Sequence, residues 1–175
     1  MLRVVVTGAE SVGKSTISEM LAKYFQGTNI PEYARTYVEE HGYTYQYDDV
    51  VAIAKYQVEE DLEIEQLSDS IVFYDSWLII TKVWLFEMYK QMPDFVDAHI
   101  ADHKADLYLL LTPDLPWVED PVRENGGEMR WKLHQKYKEE LEHYQCNYVE
   151  VSEVGEDRFL RAKSEVEKLL RINTD

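Results

Sequence analysis

The fold follows from one segment near the amino terminus, Leu2-Arg3-Val4-Val5-Val6-Thr7-Gly8-Ala9-Glu10-Ser11-Val12-Gly13-Lys14-Ser15-Thr16. Residues 2–7 form a short apolar run rich in β-branched side chains, which predicts a buried strand. Residues 8–15 fit the pattern G-x-x-x-x-G-K-[ST] of the phosphate-binding P-loop. An amphipathic helix is predicted next, because apolar residues then recur at helical spacing: Ile17, Met20, Leu21, Tyr24 and Phe25.

The spacing of this loop suits phosphate chemistry. Gly8 and Gly13 allow backbone conformations that a side chain would block, so that successive N–H groups can point inward at an anion. The helix that begins near Lys14 adds the positive end of its dipole. We expect Lys14 to reach the β- and γ-phosphates of ATP and the Ser15 hydroxyl to bind Mg²⁺. The full set of loop residues expected at the nucleotide is Gly8, Ala9, Glu10, Ser11, Val12, Gly13, Lys14, Ser15 and Thr16.

The composition limits the partners of the chain. Its 175 residues include 34 Asp and Glu against 18 Lys and Arg, for a formal net charge of −16. This acidity argues against a nucleic-acid partner and against an anionic membrane surface. The single cysteine, Cys146, excludes an intramolecular disulfide. A P-loop by residue 8 leaves no room for a signal peptide, and charged residues interrupt the apolar stretch 71–85, so we expect a cytoplasmic protein.

Apolar strands alternate with helical segments along the rest of the chain. Besides residues 2–7, strands are predicted at 28–30, 71–75, 106–111 and 148–151. Because no internal repeat or linker divides the sequence, residues 1–175 are predicted to form a single domain. The alternation predicts an α/β fold, a doubly wound structure of three layers around a five-stranded parallel sheet.

Polar side chains follow two of these strands at their carboxyl ends, where open α/β sheets bind ligands. Glu32 and Arg35 come just after the strand at 28–30, in the element Pro31-Glu32-Tyr33-Ala34-Arg35. Asp75 ends the strand at 71–75, and in P-loop proteins such an aspartate holds Mg²⁺ directly or through water. The alternative is that Asp75 or Ser76 caps the helix that follows.

Two arginines lie in a segment, about residues 113–130, whose prolines and paired glycines are typical of a mobile lid. Arg123 and Arg130 would be carried onto the phosphates when such a lid closes. A cation there would stabilise charge on a transferring phosphoryl group. The alternative is an ordinary exposed loop whose arginines form salt bridges.

A possible metal pair is formed by His99 and His103, which stand at i, i+4 on a helix predicted over 94–103. Two histidines on one helix face can bind a metal ion. No third ligand is evident from the sequence, so we expect a surface pair.

Two classes of P-loop protein fit these residues, a small-molecule phosphotransferase and a nucleotide-hydrolysing switch or motor. A GTPase would carry a guanine-reading N-K-x-D stretch, which the sequence lacks. Motor ATPases usually bring further domains or a basic substrate channel, whereas this chain is short and acidic. The residues therefore favour a kinase of nucleosides, nucleotides or similar metabolites.

The same residues resemble the ribosylnicotinamide kinase domain of the NadR family. The resemblance runs through the P-loop, residues 31–35, the Asp75 strand, residues 110–120 and the arginines of the lid. It implies a P-loop nucleoside-kinase-like fold and phosphorylation of nicotinamide riboside by ATP, giving nicotinamide mononucleotide in NAD salvage. Because Ser76 and Pro121 depart from the family pattern, a kinase of another nucleoside or nucleotide stays open. A non-catalytic nucleotide sensor and any oligomeric state also stay open.

The resemblance further implies roles for the candidate residues. Either Glu32 or Asp75 would accept the proton of the acceptor hydroxyl, with Glu32 placed near the acceptor and Asp75 joining Ser15 at Mg²⁺. Lys14, Arg123 and Arg130 would neutralise the phosphoryl group, and Arg35 would lie beside the acceptor. The pyridinium ring of nicotinamide riboside suits an aromatic wall, with core packing as the alternative for each candidate: Trp84, Tyr89 and Trp117.

Overall fold

A five-stranded sheet forms the centre of the computed structural model, which describes residues 1–42, 44–67, 70–116 and 127–172. All neighbouring strands are parallel, and their order across the sheet is β2-β3-β1-β4-β5. The predicted α/β class and the predicted strand count are confirmed. The strands are β1 (Leu2–Gly8), β2 (Thr28–Ile30), β3 (Ile71–Asp75), β4 (Leu107–Leu111) and β5 (Tyr148–Val151).

Helices cover both faces of this sheet. The first and last helices pack against each other on one face. On the other face, the fifth and sixth helices pack against the fourth. None of the helices in the described ranges is long and apolar enough to span a membrane. The helices are α1 (Lys14–Phe25), α2 (Tyr33–Glu40), α3 (Tyr47–Ile64), α4 (Leu78–Tyr89), α5 (Asp94–Asp102), α6 (Glu128–His143) and α7 (Glu156–Ile172).

The strand β1 lies in the middle of the sheet, between β3 and β4. Val4, Val5 and Val6 are buried, as expected of a parallel strand covered on both faces. The connection out of β1 runs to β2 at one edge, whereas the connections out of β3 and β4 run toward the other edge. The chain therefore changes direction beside β1, and open α/β sheets bind their ligands at such a switch point.

A polar network away from the P-loop contains the two histidines of α5. The buried carboxylate of Asp61 accepts hydrogen bonds from Arg3 at 2.6 Å and from the Tyr74 hydroxyl at 2.7 Å, and His99 Nε2 lies 2.8 Å from it. His103 Nδ1 lies 2.8 Å from Glu65, which Arg3 also contacts. The expected surface pair is therefore wrong for His99, which is buried. Because the Arg3 guanidinium forms ion pairs with both carboxylates, this network joins α3, α5 and β1 structurally.

Candidate active site

The P-loop leaves β1 at Gly8 and enters α1 at Lys14. Gly8 has a φ of +144°, and a Cβ there would lie 2.7 Å from the Leu111 carbonyl oxygen of β4. Gly13 occupies the N-cap of α1 in a left-handed conformation, with no side chain capping the helix. The loop consequently needs glycine at both positions, and the first N–H groups of α1 are left for an anion.

Lys14 and Ser15 lie at the inner side of this loop. The ammonium group of Lys14 reaches across to the Ala9 carbonyl oxygen at 2.9 Å. Both side chains line a cavity that extends from the loop, as does Thr16. A lysine held in this position can move its charge onto phosphate oxygens with only a small rearrangement.

Arg158 of α7 holds the loop from behind. Its side chain is 2 % exposed and donates to the carbonyl oxygens of Val12 at 2.7 Å and of Thr112 at 3.2 Å. A carboxylate oxygen of Asp114 lies 3.5 Å away. By binding the Val12 carbonyl, Arg158 fixes the peptide plane that also carries the Gly13 N–H group. Sequence analysis missed Arg158, although a cation in the first turn of a helix opposes the helix dipole and so indicates a specific partner.

Arg130 of α6 holds the same loop from a second direction. Its guanidinium donates to the carbonyl oxygens of Glu10 at 2.9 Å, Leu115 at 2.8 Å and Ser11 at 3.3 Å. The structure thus brings this arginine, expected at the phosphates, to the outer carbonyls of the P-loop. Arg123 lies outside the described residues.

Asp75 lies beside the P-loop at the end of β3, where Val6 of β1 is its partner in the sheet. Its carboxyl group is buried and lies close enough to Ser15 for that hydroxyl to act on its pKa. Burial raises the pKa of Asp75, whereas the Ser15 hydroxyl and the Lys14 charge lower it. The capping alternative does not describe α4, because Trp77 occupies the N-cap and no side chain caps the helix.

Glu32 occupies the N-cap of α2, just beyond β2. Its side chain lines the cavity and is partly accessible from it. Burial raises the pKa of the Glu32 carboxyl, the Lys14 charge opposes that rise and the Asp75 charge adds to it. Glu32 is therefore a stronger proton acceptor than an ordinary surface glutamate.

The cavity that joins these groups has a volume of about 580 Å³. It begins at the P-loop and extends between α2, α3, α4 and α6. Trp84 forms part of its wall, and Tyr45 lies edge-on to that indole at 4.8 Å between ring centres. Arg35 also lines the cavity and pairs with Glu39 at 2.9 Å.

The expected aromatic wall differs from the one that is found. Tyr89 does not line the cavity and packs edge-to-face on Tyr47 at 5.5 Å. Its position explains this, because Met88 stands four residues after Trp84 on the cavity face of α4, whereas Tyr89 is one residue further round the helix. Trp117 lies outside the described residues. Tyr45, which sequence analysis missed, precedes α3 in a segment without a periodic pattern.

The sequence of this chain matches known proteins over most of its length. The AAA domain family matches residues 3–158. The chain is 31% identical over 173 residues to the trifunctional NAD biosynthesis/regulator protein NadR of Salmonella typhimurium (strain LT2) and to that of Escherichia coli (strain K12). These matches cover 95% of this chain and 42% of each relative, so the chain spans less than half the length of either. The resemblance inferred from the motifs is confirmed.

Solved structures agree about the fold. A crystal structure of NadR protein in complex with NAD and AMP-PNP matches with a TM-score of 0.80 at 24% identity, covering 96% of this chain and 49% of that one. A structure of NadR protein in complex with NR matches equally well, with a TM-score of 0.80 at 23% identity, covering 96% and 50%. Deoxyadenosine kinase from M. mycoides matches with a TM-score of 0.65 at 14% identity, covering 95% and 100%.

Proposed function

The chain belongs to the AAA domain family, and we infer that its P-loop binds ATP and that the protein phosphorylates a nucleoside, nicotinamide riboside. The reaction would transfer the γ-phosphoryl group to the 5′-hydroxyl and give nicotinamide mononucleotide for NAD salvage. One observation carries this proposal: a single cavity has the P-loop at one end, the Glu32 carboxylate beside it and an aromatic wall beyond. The structure of NadR protein solved in complex with NR supports the choice of acceptor.

The positions of the two carboxylates support a division of labour between them. Asp75 lies beside Ser15 of the P-loop, on the nucleotide side. Glu32 lines the cavity from the N-cap of α2, and its raised pKa favours accepting a proton. We therefore assign Glu32 as the group that takes the proton of the attacking hydroxyl.

Ser15 and Asp75 form a donor set that fits Mg²⁺. The Oδ1 atom of Asp75 is buried and has no hydrogen-bond partner within the described ranges, which is costly unless a ligand occupies it. Oxygen donors from a hydroxyl and a carboxylate are those that Mg²⁺ prefers. When bound, Mg²⁺ would neutralise charge on the phosphate oxygens.

Positive charge for the transferring group would come from Lys14 and from a lid at about 113–130. Arg130 binds the outer carbonyls of Glu10 and Ser11, two residues of the P-loop. Release of these carbonyls on nucleotide binding would free its guanidinium for the phosphate oxygens, with Arg123 as a second cation. We place this activity in a single kinase domain of the cytoplasm.

An acceptor panel tests the proposal. The purified protein is incubated with Mg·ATP and with nicotinamide riboside, uridine, adenosine or a deoxynucleoside, and ADP release is followed. We expect turnover with nicotinamide riboside. Turnover with only another nucleoside would mean that this nucleoside is the acceptor. ATP binding without ADP release that any acceptor stimulates would mean that the protein is a nucleotide sensor and not a kinase.

A further inference from the structure

A buried amide–hydroxyl pair lines the acceptor side of the cavity. Gln57 of α3 is 7 % exposed and Thr81 of α4 is 2 % exposed. The Thr81 hydroxyl donates to Gln57 Oε1 at 2.7 Å, and both residues line the cavity. The proposed transfer step uses neither of them.

The bond to Thr81 fixes which end of the Gln57 amide faces the cavity. Since Oε1 is held by the hydroxyl, the NH₂ group of the same planar amide must point elsewhere. This nitrogen has no hydrogen-bond partner among the residues that the structure describes, and it is not sealed in the core. Gln57 therefore presents an oriented donor to whatever fills the cavity.

The pair lies close to the aromatic wall. Thr81 and Trp84 are three residues apart on α4, so they are neighbours on one helix face. A flat ring lying on Trp84 would therefore be a neighbour of the Thr81–Gln57 pair. The cavity-lining residues of α3 and of the first two turns of α4 carry no charge: Gln57, Ile80, Thr81 and Trp84.

We propose that Gln57, oriented by Thr81, binds a carbonyl oxygen on the edge of the acceptor ring and selects a neutral carboxamide over a carboxylate. This inference rests on the proposed function, because it concerns the acceptor of that reaction. The NH₂ group of Gln57 is a neutral donor and can form a hydrogen bond to the oxygen of a carboxamide. A carboxylate would lose its hydration at this wall without gaining an opposite charge from α3 or α4, because the cations that line the cavity belong to other elements: Lys14, Arg35, Lys132 and Lys136.

Two ribosides that differ only at this ring substituent test the inference. Steady-state kcat/KM is measured for nicotinamide riboside and for nicotinate riboside with the wild type and with Gln57→Leu. We expect the wild type to prefer the amide, and Gln57→Leu to lose about tenfold with nicotinamide riboside, mainly through KM. Nicotinate riboside should be affected little, so the preference should shrink.

Two further variants separate recognition from packing. Thr81→Val keeps the shape of the wall and releases the amide, so it should reproduce part of the loss for the amide substrate. Gln135→Leu removes an exposed glutamine of α6 that bonds to Glu139, and it should leave both ribosides unaffected. Thermal melting of each variant checks that the fold is retained.

Equal losses for the two ribosides in Gln57→Leu would overturn the inference, because the residue would then contact the ribose or only pack the wall. Wild-type protein that uses both ribosides equally would also overturn it. Absence of turnover with every acceptor would count against the proposed function instead. In that case calorimetric titration of the two ribosides into wild type and Gln57→Leu decides on Gln57, with the same expected loss for the amide alone.

Discussion

The two ends of the cavity are built in different ways. At the phosphate end, the backbone of residues 8–15 forms the binding surface, and Arg130 and Arg158 fix it from outside through carbonyl oxygens. At the acceptor end, side chains from four helices form the wall, including Glu32 and Trp84. A local sequence pattern encodes the first end, whereas the second exists only once the helices have packed.

This difference predicts how the two ends respond to substitution. A change at the phosphate end should affect the chemical step and the nucleotide with every acceptor. A change at the acceptor end should affect how the acceptor binds or reacts and leave nucleotide binding intact. In each experiment below, the kinetic constant that changes shows to which end of the cavity the substituted residue belongs.

Loss of the P-loop lysine should have the largest effect. Lys14→Ala removes the charge that is expected to reach the phosphates, so kcat should fall by at least about 10³-fold with any acceptor. Lys23→Ala, an exposed lysine in the last turn of the same helix, is the matched control. Turnover retained in Lys14→Ala, with normal melting, would remove the P-loop from the mechanism.

The Glu32 carboxylate should have the next largest effect. Glu32→Gln keeps size and hydrogen bonding and removes the proton acceptor, so kcat should fall by about 10²- to 10⁴-fold while ATP affinity changes little. Exposed Glu40→Gln on the same helix serves as the control. If only the KM of the acceptor rises, Glu32 binds substrate and Asp75 takes the proton.

Substitution of Arg158 should affect the phosphate end of the cavity, although Arg158 itself lies outside the cavity. Arg158→Met leaves the Val12 carbonyl without its partner, so we expect a loss of about 2–4 kcal/mol in the free energy of unfolding and a weaker affinity for ATP. Arg158→Lys, which keeps the charge, should recover part of the ATP affinity. A loss of stability with unchanged ATP affinity would limit Arg158 to a structural role.

Trp84 should affect the acceptor alone. Trp84→Ala removes the indole from the cavity wall, and the KM of nicotinamide riboside should rise about tenfold while that of ATP stays constant. Trp131→Ala, at an exposed position of α6, is the control. If the KM of the acceptor did not change, Trp84 would only pack in the wall and would not bind the acceptor.

The smallest expected effect is the influence of the Glu32 carboxyl on how stability depends on pH. Because burial raises the pKa of Glu32, the folded protein holds this proton to higher pH than the unfolded chain. The free energy of unfolding should therefore fall as pH rises between the unfolded and the folded pKa, and the penalty is complete above the folded value. Glu32→Gln cannot ionise, so its Tm should exceed that of the wild type by a few degrees at neutral pH. The difference should vanish in acid, and a constant difference would contradict this account.

The fold and the phosphate end are predictable from sequence for a physical reason. The strand, the glycine spacing and the helix after them are local, and buried strands such as β3 and β4 show as short apolar runs. The carboxyl ends of parallel strands meet at one edge of a sheet, so the positions of Glu32 and Asp75 along the chain are enough to place both near the P-loop.

The acceptor end was less predictable because it depends on how helices rotate and pack. One residue along α4 separates Met88 on the cavity wall from Tyr89 on Tyr47. Gln57 looks like any polar residue of a surface helix until α4 brings Thr81 against it. Tyr45 comes from a segment without periodicity, and no pattern in the sequence distinguishes it.

Transfer of labelled phosphate is the measurement to make. Wild type and Glu32→Gln are incubated with γ-labelled ATP, Mg²⁺ and nicotinamide riboside, and the products are separated. Wild type should place the label on nicotinamide mononucleotide, and Glu32→Gln should bind ATP but transfer almost none. Label released only as inorganic phosphate, at a rate that nicotinamide riboside does not change, would contradict the assignment of this cavity to a nucleoside kinase.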